Sequence, residues 1–205
     1  MTAILKVDTI QDTAGNNIIN ESSDTITIGA SGDTTNIVGT LQNNGSGLIS
    51  GITEADQWRI TANHSGVADI TANWERADSD GFNHIGTGMS ESSGIFTFPS
   101  TGIWLIMFNA SAYVSGGDSA YVRGSIQTTL NGGGDGYSRA ANGYLSSFEG
   151  DAYNHISTNF IFDVTNTSQL LVKFGLTQNQ ANTPIFQGAT NENYTYATFL
   201  RLGDT

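Results

Sequence analysis

Residues 90–113 read SESSGIFTFPSTGIWLIMFNASAY, and this stretch decides the fold class. Ile95, Phe96 and Phe98 close an extended segment. Pro99, Ser100, Thr101 and Gly102 follow as a turn, because proline is pre-set for a bend and glycine accepts positive φ. From Ile103 the chain then runs Ile103-Trp104-Leu105-Ile106-Met107-Phe108 without a polar residue. A strand with one wet face alternates apolar with polar side chains. This strand is apolar at both parities, so both of its faces need cover. One face packs inside its own sandwich, and a neighbouring subunit is the natural cover for the other. The stretch reads as strand, turn and strand in a hairpin around which the rest is organised.

The composition extends that reading to the whole chain. Gly, Asn, Ser and Thr are abundant, and lysine occurs only at Lys6 and Lys173. Long helices draw on Ala, Leu, Glu, Lys and Arg, and no amphipathic run of three turns is present. The chain is expected to be all-β. It carries 19 acidic and 7 basic residues, a net charge of −12. That balance speaks against nucleic acid and against anionic membrane surfaces as partners, since both need a basic footprint. No window approaches the roughly eighteen apolar residues of a membrane span, and the N-terminus lacks a secretory apolar core. Cysteine is absent, so disulfides contribute nothing.

Residues 1–52 differ from residues 53–205. All aromatic residues lie from Trp58 onward. The first segment offers only small aliphatic groups, among them Ile4, Leu5, Val7, Ile10, Ile18 and Ile19, set between Asp-Thr steps and turn pairs. Those side chains are too few to offset the entropy of ordering more than fifty residues. Plain disorder is usually poor in β-branched residues, so an extended β arm or short trimeric stalk, ordered against other chains, is expected. Ser46–Thr53 (SGLISGIT) is the hinge to a head.

Within the head, strands are expected at 57–62, 67–74, 120–130, 137–145, 157–164, 169–177 and 193–202, besides the opening stretch. Val122, Ile126 and Leu130 share one face of the 120–130 strand, and Asn131–Gly136 (NGGGDG) is a hairpin tip. Residues 178–184 read as a polar loop. Short strands with turn signals every eight to twelve residues make a sandwich or jelly roll.

FPSTG before WLIMF, then STNFIFDV, QLLVKFGLT and the closing YTYATFLRL, resemble the globular head of complement component 1q and its tumour-necrosis-factor-like relatives. Trp104 stands where many members carry tyrosine. The resemblance implies a jelly-roll β-sandwich in which Trp104, Ile106, Phe108, Phe160, Phe162, Phe174 and Phe199 pack the core and the trimer. The opening ILKVDTIQDTAGNNIINE resembles the start of fibre and virion-surface proteins of tailed bacteriophages, especially marine ones. Together the two imply a homotrimer on the virion surface, tail or capsid. Its N-terminal arm, through Ile4, Leu5, Val7, Ile10, Ile18 and Ile19, would bind other virion proteins. Its knob would meet a host glycan or outer-membrane protein through aromatics such as Tyr137, Tyr144 and Tyr153. A capsid decoration, head-fibre or neck or tail accessory (cement) protein without a receptor role is the alternative.

Catalytic signals are missing. His64, His84 and His155 are isolated and fit no metal spacing. No Gly-x-Ser-x-Gly elbow occurs, and the acids Asp78, Asp80, Glu149 and Asp151 read as loop residues. A non-enzymatic protein without a cofactor is expected. Calcium is the one ion the loops leave open, through Asp78-Ser79-Asp80-Gly81 and through Asp118 or Asp135 beside glycines.

Overall fold

The computed structural model describes residues 9–11, 13–15, 17–22, 25–28, 32–36, 38, 42–43, 46–47, 51–115, 119–147, 152–178 and 183–205. The chain forms two compact units, Met1–Ser50 and Gly51–Thr205. Among the described residues every regular element is a strand.

In the first unit β1 (Thr9–Gln11), β2 (Asn17–Ser22) and β3 (Thr25–Ile28) form an antiparallel sheet in that order. A minimal ladder joins β4 (Gln42–Asn43) to β5 (Ser46–Gly47).

The second unit is a sandwich of two sheets. One has seven strands, built on β6 (Ala55–Ile60), β7 (His64–Ser65), β8 (Trp74–Arg76), β11 (Gly102–Ser115), β14 (Asn154–Val164), β16 (Thr183–Phe186) and β17 (Thr195–Gly203). The other has five, in the order β13 (Ser138–Ser147), β12 (Ser119–Thr129), β15 (Leu171–Gln178), β10 (Ile95–Thr97), β9 (Ser90–Ser92). β11 is the axis of the larger sheet. It pairs with β14 along one edge, and with β17 and then β16 along the other.

The opening stretch is strand, turn and strand, but the two strands do not pair. β10 lies in the five-stranded sheet and β11 in the seven-stranded one, so Pro99–Thr101 carries the chain across the sandwich. Phe98, only 2 % exposed, is buried at the crossing and packs on Trp104 with ring centroids 5.1 Å apart. Gly102 makes the entry possible. Its φ is +141°, and a Cβ there would stand 2.6 Å from Arg201 Nε and from the Gly203 carbonyl. The hairpin is one step earlier, between β9 and β10, where Ser93 (φ 53°) and Gly94 (φ 81°) form a two-residue turn with both φ positive.

Burial alternates along β11. Gly102, Trp104, Ile106, Phe108, Ala110, Ala112 and Val114 are buried, while Ile103, Leu105, Met107, Asn109, Ser111 and Tyr113 are half-buried. The core joins Phe96, Phe108, Phe174, Phe199 and Trp74 with Leu170, Val172 and Leu176 of the β15 region. Phe162 is buried there too, and Phe160 packs against it half-buried.

Three local expectations are corrected. Residues 67–73 do not form a strand: positive φ at Gly66 and Asn73 bends the chain. Its backbone leans on β15 instead, through Ile70 N to Phe174 O at 2.9 Å and Leu176 N to Ala68 O at 3.0 Å. Residues 183–184, expected in the 178–184 loop, instead open the strand β16, because the long β11 leaves a free edge that Phe186 and Pro184 fill opposite Ala112 and Val114. Leu130 is 68 % exposed, since β12 ends at Thr129 and the chain turns before Leu130 can share the inner face.

Candidate interaction surfaces

The outer face of the seven-stranded sheet carries the apolar residues of opposite parity. Leu105 lies opposite Ile161 on β14 and opposite Leu200 on β17, and Leu200 lies opposite Ala55 on β6. Paired residues on neighbouring strands point to the same face, so Ile161, Leu105, Leu200 and Ala55 form one apolar row across four strands. Ile103 and Met107 flank Leu105 on β11. Ile161 is 59 % and Leu202 52 % exposed. A contiguous apolar face of this kind marks an interaction surface.

The first unit repeats the pattern. Ile10 lies opposite Ile19, and Ile19 opposite Ile28. This second row also faces solvent, with Ile10, Ile19 and Ile28 all exposed. Ile18 lies in β2, and Ile4, Leu5 and Val7 lie outside the described residues.

Trp104, Ile106, Phe108, Phe162, Phe174 and Phe199 all turn inward, with Phe160 beside them. The apolar residues of the outer face are Ile103, Leu105, Met107, Ile161 and Leu200. Their signal in the sequence was the missing alternation in 103–108; Ile161 and Leu200 were hidden between stronger aromatic neighbours.

The three tyrosines occupy different settings. Tyr144 on β13 is exposed, opposite Arg123. Tyr153 is exposed and packs on Tyr113 with centroids 5.0 Å apart. Tyr137 is half-buried over the Lys173 ammonium, 4.3 Å from its ring centroid, and burial raises its pKa. Tyr194 is held in its protonated form more firmly than usual by a hydrogen bond to Glu192 and by that carboxylate's charge.

A polar cleft of about 410 Å³ opens beside the 78–82 loop. Its floor is Arg59, 1 % exposed. Arg59 Nη2 donates to Glu75 at 2.7 Å, to Asp78 at 2.6 Å and to the Thr190 carbonyl, and Nη1 donates to Ser79 at 2.8 Å. The Asp78 carboxylate therefore closes the loop onto Arg59. Asp135, at the β12–β13 tip, accepts from Asn131, and Asp118 lies outside the described residues. Among the described residues no three acidic or imidazole side chains converge as an ion would need. His64 is half-buried, with Nε2 unpartnered and its pKa lowered by burial.

No protein-family model matches the chain, and no curated protein matches it in sequence. Among solved structures it is similar to murine APRIL at pH 5.0, with 14 % identity over 73 % of this chain and 98 % of that one, at a TM-score of 0.53. It is also similar to the Eiger tumour necrosis factor of S. frugiperda, with 12 % identity over 74 % and 93 % of the two chains, at a TM-score of 0.55. At such identities the likeness is one of fold. The chain carries an all-β, two-sheet jelly roll, as its strand pattern led one to expect, and that fold is similar to the fold of these solved structures.

Proposed function

We propose that this protein is a non-enzymatic homotrimer that serves as a surface appendage of a phage particle, a short tail fibre or receptor-binding protein. Its N-terminal unit docks on other virion proteins, and its jelly-roll head is displayed. The observation that carries the reading is the pair of outward apolar rows, Ile161–Leu105–Leu200 in the head and Ile10–Ile19–Ile28 in the arm. Each row would gain on the order of 1.5–3 kcal/mol per large side chain once fully covered. A copy of the same chain supplies that cover symmetrically. The phage setting is supported by the sequence of residues 4–21.

Light scattering on the full chain tests the assembly. Three times 21.7 kDa is expected, and a monomer at micromolar concentration overturns it. Deleting residues 1–52 should leave a soluble head that no longer enters particles. A copy number many-fold above that of a tail fibre would reassign the protein to capsid decoration.

A further inference from the structure

The outer face of the five-stranded sheet carries two arginines that stand outside the ion pairs of the described residues. Of seven cationic residues, Arg59, Arg76, Lys173 and Arg201 stand in ion pairs, and Lys6 lies outside the described residues. Arg123 and Arg139 are the two with no acidic partner among the described residues. In a chain of net charge −12, an arginine with no acidic partner among the described residues is the exception.

Both stand on one sheet face. Arg123 on β12 lies opposite Tyr144, and Gln127, four residues on, lies opposite Arg139. Four residues of strand span about 13 Å at roughly 3.3 Å each. Between the two arginines lie Asn142, exposed, and Gln127, half-buried. Asp69 is the acid beside this face, and it is already engaged by Lys173 Nζ at 2.6 Å and by Gln127 Nε2 at 2.7 Å.

We infer that this face, from Arg123 to Arg139, binds an acidic polysaccharide. Arginine pairs with carboxylate or sulfate through its planar fork. Tyr144 is exposed, with Tyr121 set edge-on at 5.8 Å and the Arg123 guanidinium 6.0 Å from its ring centroid, so ring and cation stand together for the C–H face and the acid group of one sugar, and Asn142 meets hydroxyls. An acidic peptide fits less well, because an extended peptide gains its affinity from the backbone groups of a sheet edge, whereas this is a side-chain face. Nucleic acid is disfavoured because two arginines about 13 Å apart do not make the basic stripe that a phosphate backbone needs. The inference rests on the reading of the head as a displayed binding module. Its test needs no particle and no particular oligomeric state.

The full chain is titrated at low salt with polygalacturonate, dextran sulfate, neutral dextran and polyglutamate, and its mass is read in the same samples. Binding to polygalacturonate or dextran sulfate is expected, the two arms telling carboxylate from sulfate recognition, with no binding to dextran. Arg123→Ala and Arg139→Ala should each weaken binding about tenfold or more. Arg123 is half-buried, so Arg139→Glu at an exposed position keeps the test open if Arg123→Ala fails to fold. Failure to bind either acidic polysaccharide overturns the inference. So does undiminished binding by the Arg139 variants, or equal binding to polyglutamate. A monomeric mass with intact polysaccharide binding would sink the trimer and leave this site standing.

Discussion

Phe108 of β11 and Phe174 of β15 stack with ring centroids 4.8 Å apart and planes inclined by 23°, although their strands belong to opposite sheets. Among the described residues it is the shortest ring-to-ring contact between the two layers. Both rings are fully buried, and Gly124 leaves room for them, since a Cβ there would stand 3.1 Å from the Phe108 ring. Phe174→Ala is expected to cost about 3–5 kcal/mol, and Phe108→Ala a similar amount. The double variant should lose less than the sum, because the two rings share one contact. Urea midpoints at fixed protein concentration measure all three; strict additivity would mean that the rings do not couple.

Leu105 sits at the centre of the outward row, and placing a charge there tests what covers it. Leu105→Glu leaves the inner face of β11 untouched, so a folded head is expected. A buried, unpaired carboxylate at a subunit interface is costly, so the variant should elute at one third of the wild-type mass. Ile161→Glu should do the same, and Asn109→Glu, farther along the same strand, should do so less. Light scattering together with circular dichroism separates dissociation from unfolding. A Leu105→Glu protein of unchanged mass would place the interface elsewhere.

These residues also show what could be read without a structure. The strands around Phe160–Phe162, Leu170–Leu176 and Tyr196–Phe199 announce themselves, since aromatic and β-branched residues recur at period two. The double parity of 103–108 is a local signal of an outward apolar face. Partners in register are not local: nothing near Leu105 names Ile161 or Leu200. The crossing at Phe98–Gly102 looked like a hairpin because a turn's chemistry does not reveal whether the strands it joins share a sheet. β16 was hidden because its pairing rests on the free edge of a strand seventy residues away. The arginine face was illegible for a similar reason. Whether Arg123 and Arg139 are spare depends on which of the other cations the folded chain has already paired.

The β9–β10 turn depends on backbone freedom that one side chain would remove. Gly94 has φ 81°, and a Cβ there would stand 2.8 Å from Thr71 Cα and closer still to the Ile70 carbonyl. Gly94→Ala therefore meets both a left-handed conformation, which costs about 1–2 kcal/mol, and rigid backbone that cannot step aside. A loss exceeding that figure is expected. Ser93, at φ 53°, already bears the same conformational strain without glycine's relief, so Ser93→Gly should be neutral or mildly stabilising. Equal effects at the two positions in urea unfolding would show that the clash with Ile70 and Thr71 is absent.

His64 ties stability to pH. It pairs β7 to β16 opposite Phe186, and its Nε2 is buried without a partner. Burial lowers its pKa from the ordinary 6.5. Above that value the imidazole is neutral in both the folded and the unfolded chain, so it contributes no pH dependence. Below it, the unfolded chain takes up a proton that the folded chain resists, so the unfolded state is favoured. Stability should therefore fall as pH drops below about 6.5, until the folded-state pKa is reached. His64→Gln cannot take up that proton, and its urea midpoint should change less than that of the wild type between pH 7.5 and 5.5. Parallel curves for the two proteins would mean that the acid sensitivity does not come from His64.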